Sequence, residues 1–145
     1  VLPYVSMHDS TRLMMEYFLN AAVDQGIRVE RFNLEVADTG KFAMSLVDAA
    51  ALVIATPTVL AGPHPYAVHY AYLAAALRPR IRYLSFIGSY GWGGRTVEML
   101  KDLTSGLQAE LLEPVLCKGV PGGDDFLALD RLAGSLAAKM NEDLG

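Results

Sequence analysis

The sequence predicts an α/β fold in three layers, a doubly wound sheet of five parallel strands with helices on both faces. Three observations predict it. Apolar runs of strand length alternate with segments of helical period along the whole chain. One run, Ala51–Ala55, is apolar at every position, as a central strand covered on both faces requires. The 145 residues, 52% hydrophobic and 19% charged, suffice for one substantial core and not for two ordinary domains.

Leu2–Val5 reads as the first strand, followed by a helix over Ser10–Gln25 with Leu13, Met14, Tyr17, Phe18 and Ala21 on one face. Gly26 ends that helix, at a position where a positive φ is easily accommodated. Ile27–Leu34 alternates as a strand, and Asp38 or Thr39 caps a short helix through about Val47. After the central strand, Pro65–Leu77 is a helix with a Tyr66, Tyr70, Leu73, Leu77 stripe. Arg82–Ile87 is a strand, and Arg95–Ser105 a helix ended by Gly106. Glu110–Cys117 is the last strand and Asp124–Glu142 the last helix. Strands alternating with helices imply right-handed crossovers and parallel pairing, for which 2-1-3-4-5 is the common order at this size. With no linker, repeat or low-complexity segment, residues 1–145 read as a single domain.

A net charge of −4 argues against nucleic acid, since phosphate backbones are met by clustered Lys and Arg, and nowhere do the basic residues gather into such a patch. No apolar run reaches the roughly 18 residues of a membrane span, and no basic segment precedes an apolar one as in a signal peptide. A single cysteine, Cys117, rules out an internal disulfide framework and fits a reducing cytoplasm. It reads as core rather than reactive thiol, and the methionines Met14, Met15, Met44, Met99 and Met140 read as packing. The chain opens in a strand without an initiating Met, as a piece of a longer protein would.

In open α/β sheets ligands bind beyond the carboxyl ends of the strands, near the point where strand order reverses. The loop after the first strand is Ser6-Met7-His8-Asp9-Ser10-Thr11. Its hydroxyls and the amides of the following helix make an anion site that needs no Lys or Arg, whereas plain N-capping would explain only one or two of these residues. The third-strand loop, Thr56-Pro57-Thr58-Val59-Leu60-Ala61-Gly62-Pro63-His64-Pro65, is stiffened by three prolines. Its apolar centre, Val59 to Gly62, is expected at the surface, where it suits a flat aromatic ligand. The fourth-strand loop, Gly88-Ser89-Tyr90-Gly91-Trp92-Gly93-Gly94, sets two aromatics among four glycines. The glycines permit close backbone approach to a ligand, and the aromatics can line a planar ring. A phosphate cradle and two walls for a flat heterocycle match the two parts of a flavin mononucleotide.

These three loops resemble the flavin loops of the flavodoxin-like domain of A-type flavoproteins, the flavodiiron proteins. The resemblance extends over nearly the whole chain, down to Lys118-Gly119-Val120-Pro121, and the Gly-Ser-Tyr-Gly-Trp stretch is its most specific part. It implies an FMN cofactor, with Ser6, Met7, Ser10 and Thr11 on the phosphate. His8, in the same loop, joins the cofactor-binding set, a surface histidine being the plainer alternative. Pro57, Thr58, Val59 and Leu60 would contact the ring from one loop, and Ser89, Tyr90, Gly91 and Trp92 from the other. Many relatives carry glycine where Asp9 stands and asparagines in the stretch of Leu60 and Ala61.

The resemblance further implies a metallo-β-lactamase-like partner domain with two irons, in the same or another chain, that reduces dioxygen or nitric oxide. It implies a redox electron donor and a head-to-tail homo-oligomer that brings flavin and metal together. His8, His64 and His69 have no H-x-E-x-D-H spacing, so this chain supplies no iron site, no catalytic acid or base is expected of it, and oxidoreductase activity is expected only with the diiron domain. A free-standing flavodoxin or flavin-dependent quinone reductase is the alternative, and an interaction module without cofactor is another. A receiver domain is excluded by Thr56 at the end of the third strand, and a P-loop by the absence of its glycine-lysine pattern.

Overall fold

The computed structural model describes residues 1–7, 9–90 and 94–144. In chain order its elements are β1 (Leu2–Tyr4), α1 (Ser10–Asp24), β2 (Arg31–Asn33), α2 (Thr39–Ser45), β3 (Ala51–Val59), β4 (Gly62–Pro63), α3 (Pro65–Leu77), β5 (Tyr83–Tyr90), α4 (Thr96–Leu103), β6 (Glu110–Leu111), β7 (Val115–Lys118) and α5 (Gly123–Leu144), with a short 3-10 turn at Ser105–Leu107. The sheet runs β2-β1-β3-β5 and then β6 and β7, both on the far side of β5. All these pairs are parallel. Counting β6 and β7 as one strand, this is the five-stranded flavodoxin-like order 2-1-3-4-5 with five helices.

Alternation along β3 divides the core. Val53 and Ala55 face α1 and α5, packing with Met14, Met15, Phe18, Leu129, Leu132 and Leu136. Leu52 and Ile54 face the other way, onto Phe42 of α2, Ala67, Ala71 and Ala74 of α3, and Leu100 of α4. A strand covered twice has no solvent face to mark with polar residues, hence its unbroken apolar sequence.

In place of the one expected strand over Glu110–Cys117, Leu112-Glu113-Pro114 interrupt the pairing and separate β6 from β7. Leu84 pairs with Leu111, and Ile87 with Val115, so β5 advances by three residues while its neighbour advances by four. This is a one-residue bulge, located where Pro114 has no N–H to give the ladder. The buried Ser85 hydroxyl donates to the Leu112 carbonyl at 3.2 Å, satisfying a group the bulge would orphan.

Four smaller expectations also shift. The second strand is Arg31–Asn33 rather than Ile27–Leu34. The buried face of α1 is Thr11, Met14, Met15, Phe18 and Ala22, leaving Leu13 exposed. That of α3 is Ala67, Tyr70, Ala71 and Ala74, leaving Tyr66 and Leu77 exposed. Small residues let α3 approach the sheet closely, and a helix apolar all round carries no periodic signal to choose its face. Met44 and Met99, expected as packing, are exposed.

Candidate functional site

The loops after β1, β3 and β5 emerge together at the carboxyl ends of adjacent strands, where the chain reverses its direction of winding. The first leaves the sheet at Val5, whose N–H donates to the Ala55 carbonyl at 3.0 Å. Ser6 Oγ accepts the Arg12 N–H at 3.3 Å, and Met7 is exposed. Asp9 stands at the N-cap of α1 in the left-handed region (φ 64°), and its carboxylate makes no capping hydrogen bond. The first turn of α1 thus points amides at the loop with no carboxylate folded over them. Nearby cations are already engaged: Arg12 pairs with Glu16 at 3.1 Å and Arg95 with Glu98 at 2.7 Å. Each guanidinium is held above its ordinary range by hydrogen bonding to that carboxylate. An anion here meets neutral donors.

Thr11, one of the residues the resemblance assigns to phosphate, is only 1% exposed. Its hydroxyl lies 2.8 Å from Ser89 Oγ, at the end of β5. The pair ties the first loop to the third across the sheet.

The second loop is a hairpin. β3 continues to Val59, turns through Leu60 and Ala61, and returns as β4, with Val59 paired to Gly62 and Thr58 to Pro63. Both turn residues have positive φ, 49° and 67°, as a type I′ hairpin requires. The expectation of a surface-exposed apolar centre holds for Leu60 at 99% exposure and for Ala61, whereas Gly62 is buried. Below the turn, buried Thr56 donates to the Pro57 carbonyl at 2.9 Å and accepts the His64 N–H at 3.0 Å. His64 Nδ1 in turn accepts the Tyr66 N–H at 3.0 Å, so this histidine caps α3.

The third loop packs against the second. A Cβ on Gly94 would come within 2.9 Å of both the Ala61 carbonyl oxygen and Thr58 Cγ2, and the Arg95 N–H donates to that same carbonyl at 2.8 Å. Gly88 is needed by the sheet itself, since a Cβ there would lie 2.4 Å from the Thr56 carbonyl oxygen. These two glycines therefore serve packing rather than ligand approach. Thr58 and Thr96 share a hydrogen bond of 2.8 Å between hydroxyls. Beside them is a hollow of about 270 Å³, lined by Thr58, Tyr90, Gly94, Thr96 and Leu116. His8, Gly91 and Trp92 lie outside the described residues.

The fold therefore brings Ser6, Met7, Ser10 and Thr11 to the same end of the sheet as Pro57–Leu60 and Ser89–Tyr90. Within that set, Pro57, Thr11 and Ser89 are buried, while Met7 and Leu60 are open to solvent. Sequence reasoning missed Thr96 and Leu116 in the lining of the hollow. Thr96 opens α4 directly after the glycine-rich loop, a readable signal; Leu116 is placed by the bulge, which left none. A second cleft, of about 350 Å³, lies at the opposite end of the sheet beside Leu2, Phe18, Ile27 and Met140 and touches none of these loops.

Over 142 residues, 97% of its length, the chain is 28% identical to the nitric oxide reductase of Moorella thermoacetica. It superposes on the rubredoxin oxygen:oxidoreductase of Desulfovibrio gigas with a TM-score of 0.93 at 26% identity, over 99% of the chain. The chain is a flavodoxin-like domain, homologous to the flavodoxin region of flavodiiron proteins. This flavodoxin-like domain spans 36% of the length of each of those two proteins. It also superposes on a flavodoxin from the domain Archaea, covering 97% of the domain and 96% of that chain with a TM-score of 0.82 at 20% identity, a likeness of fold. No protein-family model matches the chain.

Proposed function

We propose that this flavodoxin-like domain binds FMN and relays electrons to a diiron centre on a metallo-β-lactamase-like domain, in the same chain or another. The observation that carries the reading is the convergence of the three loops on one end of the sheet, with a helix N-terminus free of a carboxylate cap at one side and the Thr58–Tyr90 hollow at the other. The donor set suits a phosphate monoester joined to a flat ring: hydroxyls and amides for the anion, threonines and an aromatic for the heterocycle. FMN, when bound, supplies the redox chemistry, and the protein supplies position and electrostatics.

Ser6, Ser10 and the amides of the first turn of α1 would hold the phosphate, with Met7 and His8 beside it. Pro57, Thr58, Val59 and Leu60 would form one wall of the ring site, and Ser89, Tyr90, Gly91 and Trp92 the other. The buried Thr11–Ser89 pair would act by fixing the distance between the phosphate loop and the ring wall. Relatives named as a nitric oxide reductase and an oxygen oxidoreductase support one of those gases as the final acceptor; a head-to-tail oligomer in the cytoplasm completes the proposal.

The test is titration with FMN, followed by quenching of flavin fluorescence, with riboflavin in parallel. Saturable quenching with FMN binding more tightly than riboflavin is expected. Equal affinity for both would remove the phosphate site, and no binding by the folded domain would remove the flavin reading. A free-standing flavodoxin is the second reading, supported by the fold shared with the archaeal flavodoxin. It predicts electron exchange with a soluble carrier in the absence of any diiron domain.

A further inference from the structure

One group of basic residues borders a single concave surface. Arg78, Arg80 and Arg82, in the connection between α3 and β5, all line one open hollow of about 630 Å³ together with Pro79, Ile81 and Gln108. The hollow lies at the amino-terminal end of β5, opposite the flavin loops. Ile81 and Leu107 form its buried floor. Two of the described non-glycine residues with positive φ bound it, Arg78 at 50° and Gln108 at 48°.

The charges there are poorly compensated. No acidic side chain is among the lining residues. Of the three arginines, only Arg82 enters an ion pair among the described residues, reaching Asp143 at 3.6 Å with more than half of its side chain exposed. Elsewhere Arg12, Arg95 and Lys139 each have a carboxylate within 3.1 Å. In a chain of net charge −4, the exposed Arg78 and Arg80 beside a concave surface form a local positive field of the kind that captures an oppositely charged partner.

We propose that this hollow docks an acidic, extended segment of a partner protein. Arg80 and Arg82 are both exposed and flank the buried Ile81, so they share the outward side of the chain, where alternate positions of an extended backbone are about 6.6 Å apart. Carboxylates at alternate positions of an extended peptide repeat the same distance. Arg78, exposed and in the left-handed region, adds a third arginine to the lining of the same hollow. Guanidinium forks bind carboxylates in a planar, bidentate manner, and a row of them selects a row of carboxylates over a single small anion.

The test is fluorescence anisotropy of a labelled synthetic peptide alternating glutamate and threonine, titrated with the whole chain at low ionic strength. Saturable binding that weakens as salt rises is expected. Arg80→Glu should weaken it about tenfold or more, because it replaces an attraction by a repulsion at a partly solvated site. Arg78→Asn should weaken it too, and asparagine suits the left-handed backbone, so lost folding would not explain the result. Arg131→Glu, an equal charge reversal on α5, should leave it unchanged. Absence of binding, or equal losses for Arg80→Glu and Arg131→Glu, would overturn the proposal. Equal affinity for inorganic tripolyphosphate would assign the hollow to a small anion, and tighter binding of a single-stranded oligonucleotide would assign it to nucleic acid; either result also overturns it. The assay contains no flavin, so its outcome is independent of the FMN reading.

Discussion

Asp9, Leu60 and Ala61 share a left-handed backbone conformation, disfavoured for leucine and alanine and only tolerated by aspartate. Glycine and asparagine tolerate it best, so each of these three positions carries a backbone cost. Leu60→Asn should therefore stabilise the fold by about 1 kcal/mol, raising the unfolding midpoint by about 3 °C in a thermal melt. Asp9→Gly should act in the same direction and, by removing a carboxylate from the phosphate loop, should tighten FMN binding while leaving riboflavin unchanged; equal gains for both would show that the carboxylate does not reach the phosphate. Thr11→Ala breaks the buried pair with Ser89, at a cost of about 1–2 kcal/mol read by denaturant unfolding. Its effect on FMN should be indirect and shared between phosphate and ring, in contrast to Ser10→Ala, which should weaken FMN more than riboflavin. Trp92→Ala should weaken both flavins alike, as loss of a stacking wall would.

At the scale of elements, β3 and β5 approach so closely that Gly88→Ala would press a methyl group onto the Thr56 carbonyl, and a loss of about 3 kcal/mol or more in urea unfolding is expected. Much of this architecture is legible in the chain. The apolar run of β3, the proline that opens α3 at Pro65 and the Asp38 carboxylate that caps α2 through the Lys41 N–H are local signals, and the elements form where they point. The buried faces of α1 and α3 lie one position along from those the apolar pattern points to, because which side of a mostly apolar helix is buried is decided by the sheet it packs on. The bulge between β6 and β7 is a relation between two strands, so neither strand alone declares it. The site divides the same way. Its loops are contiguous and could be read, but the Thr11–Ser89 and Thr58–Thr96 hydrogen bonds join residues 78 and 38 positions apart.

For the molecule as a whole, two of the protons held more tightly in the fold than in the free side chains sit on buried groups, Tyr83 and Cys117. Hydrogen bonding to Asp143, reinforced by burial, pushes the Tyr83 phenol up to about 12, and burial pushes the Cys117 thiol up to about 11. Both groups are neutral when protonated, so the unfolded chain releases these protons at lower pH than the folded one. Their stabilising share is complete below the unfolded values near 9 for cysteine and 10 for tyrosine, and is lost as pH rises through 11 and 12. Melting temperature should fall steadily above pH 9, and the combined variant Tyr83→Phe, Cys117→Ala should flatten that alkaline slope. Cys117 owes its burial to the extra residue in its strand. Facing alternates along a strand, so the bulge sets the parity by which Leu116 borders the hollow and Cys117 turns inward, its sulfur 3.3 Å from that of Met14. Deleting one residue between Leu112 and Pro114 would invert that parity and exchange the two. A thiol would then stand where an inert leucine now lines the proposed flavin site, and a domain proposed to pass electrons onward would acquire a group able to keep them.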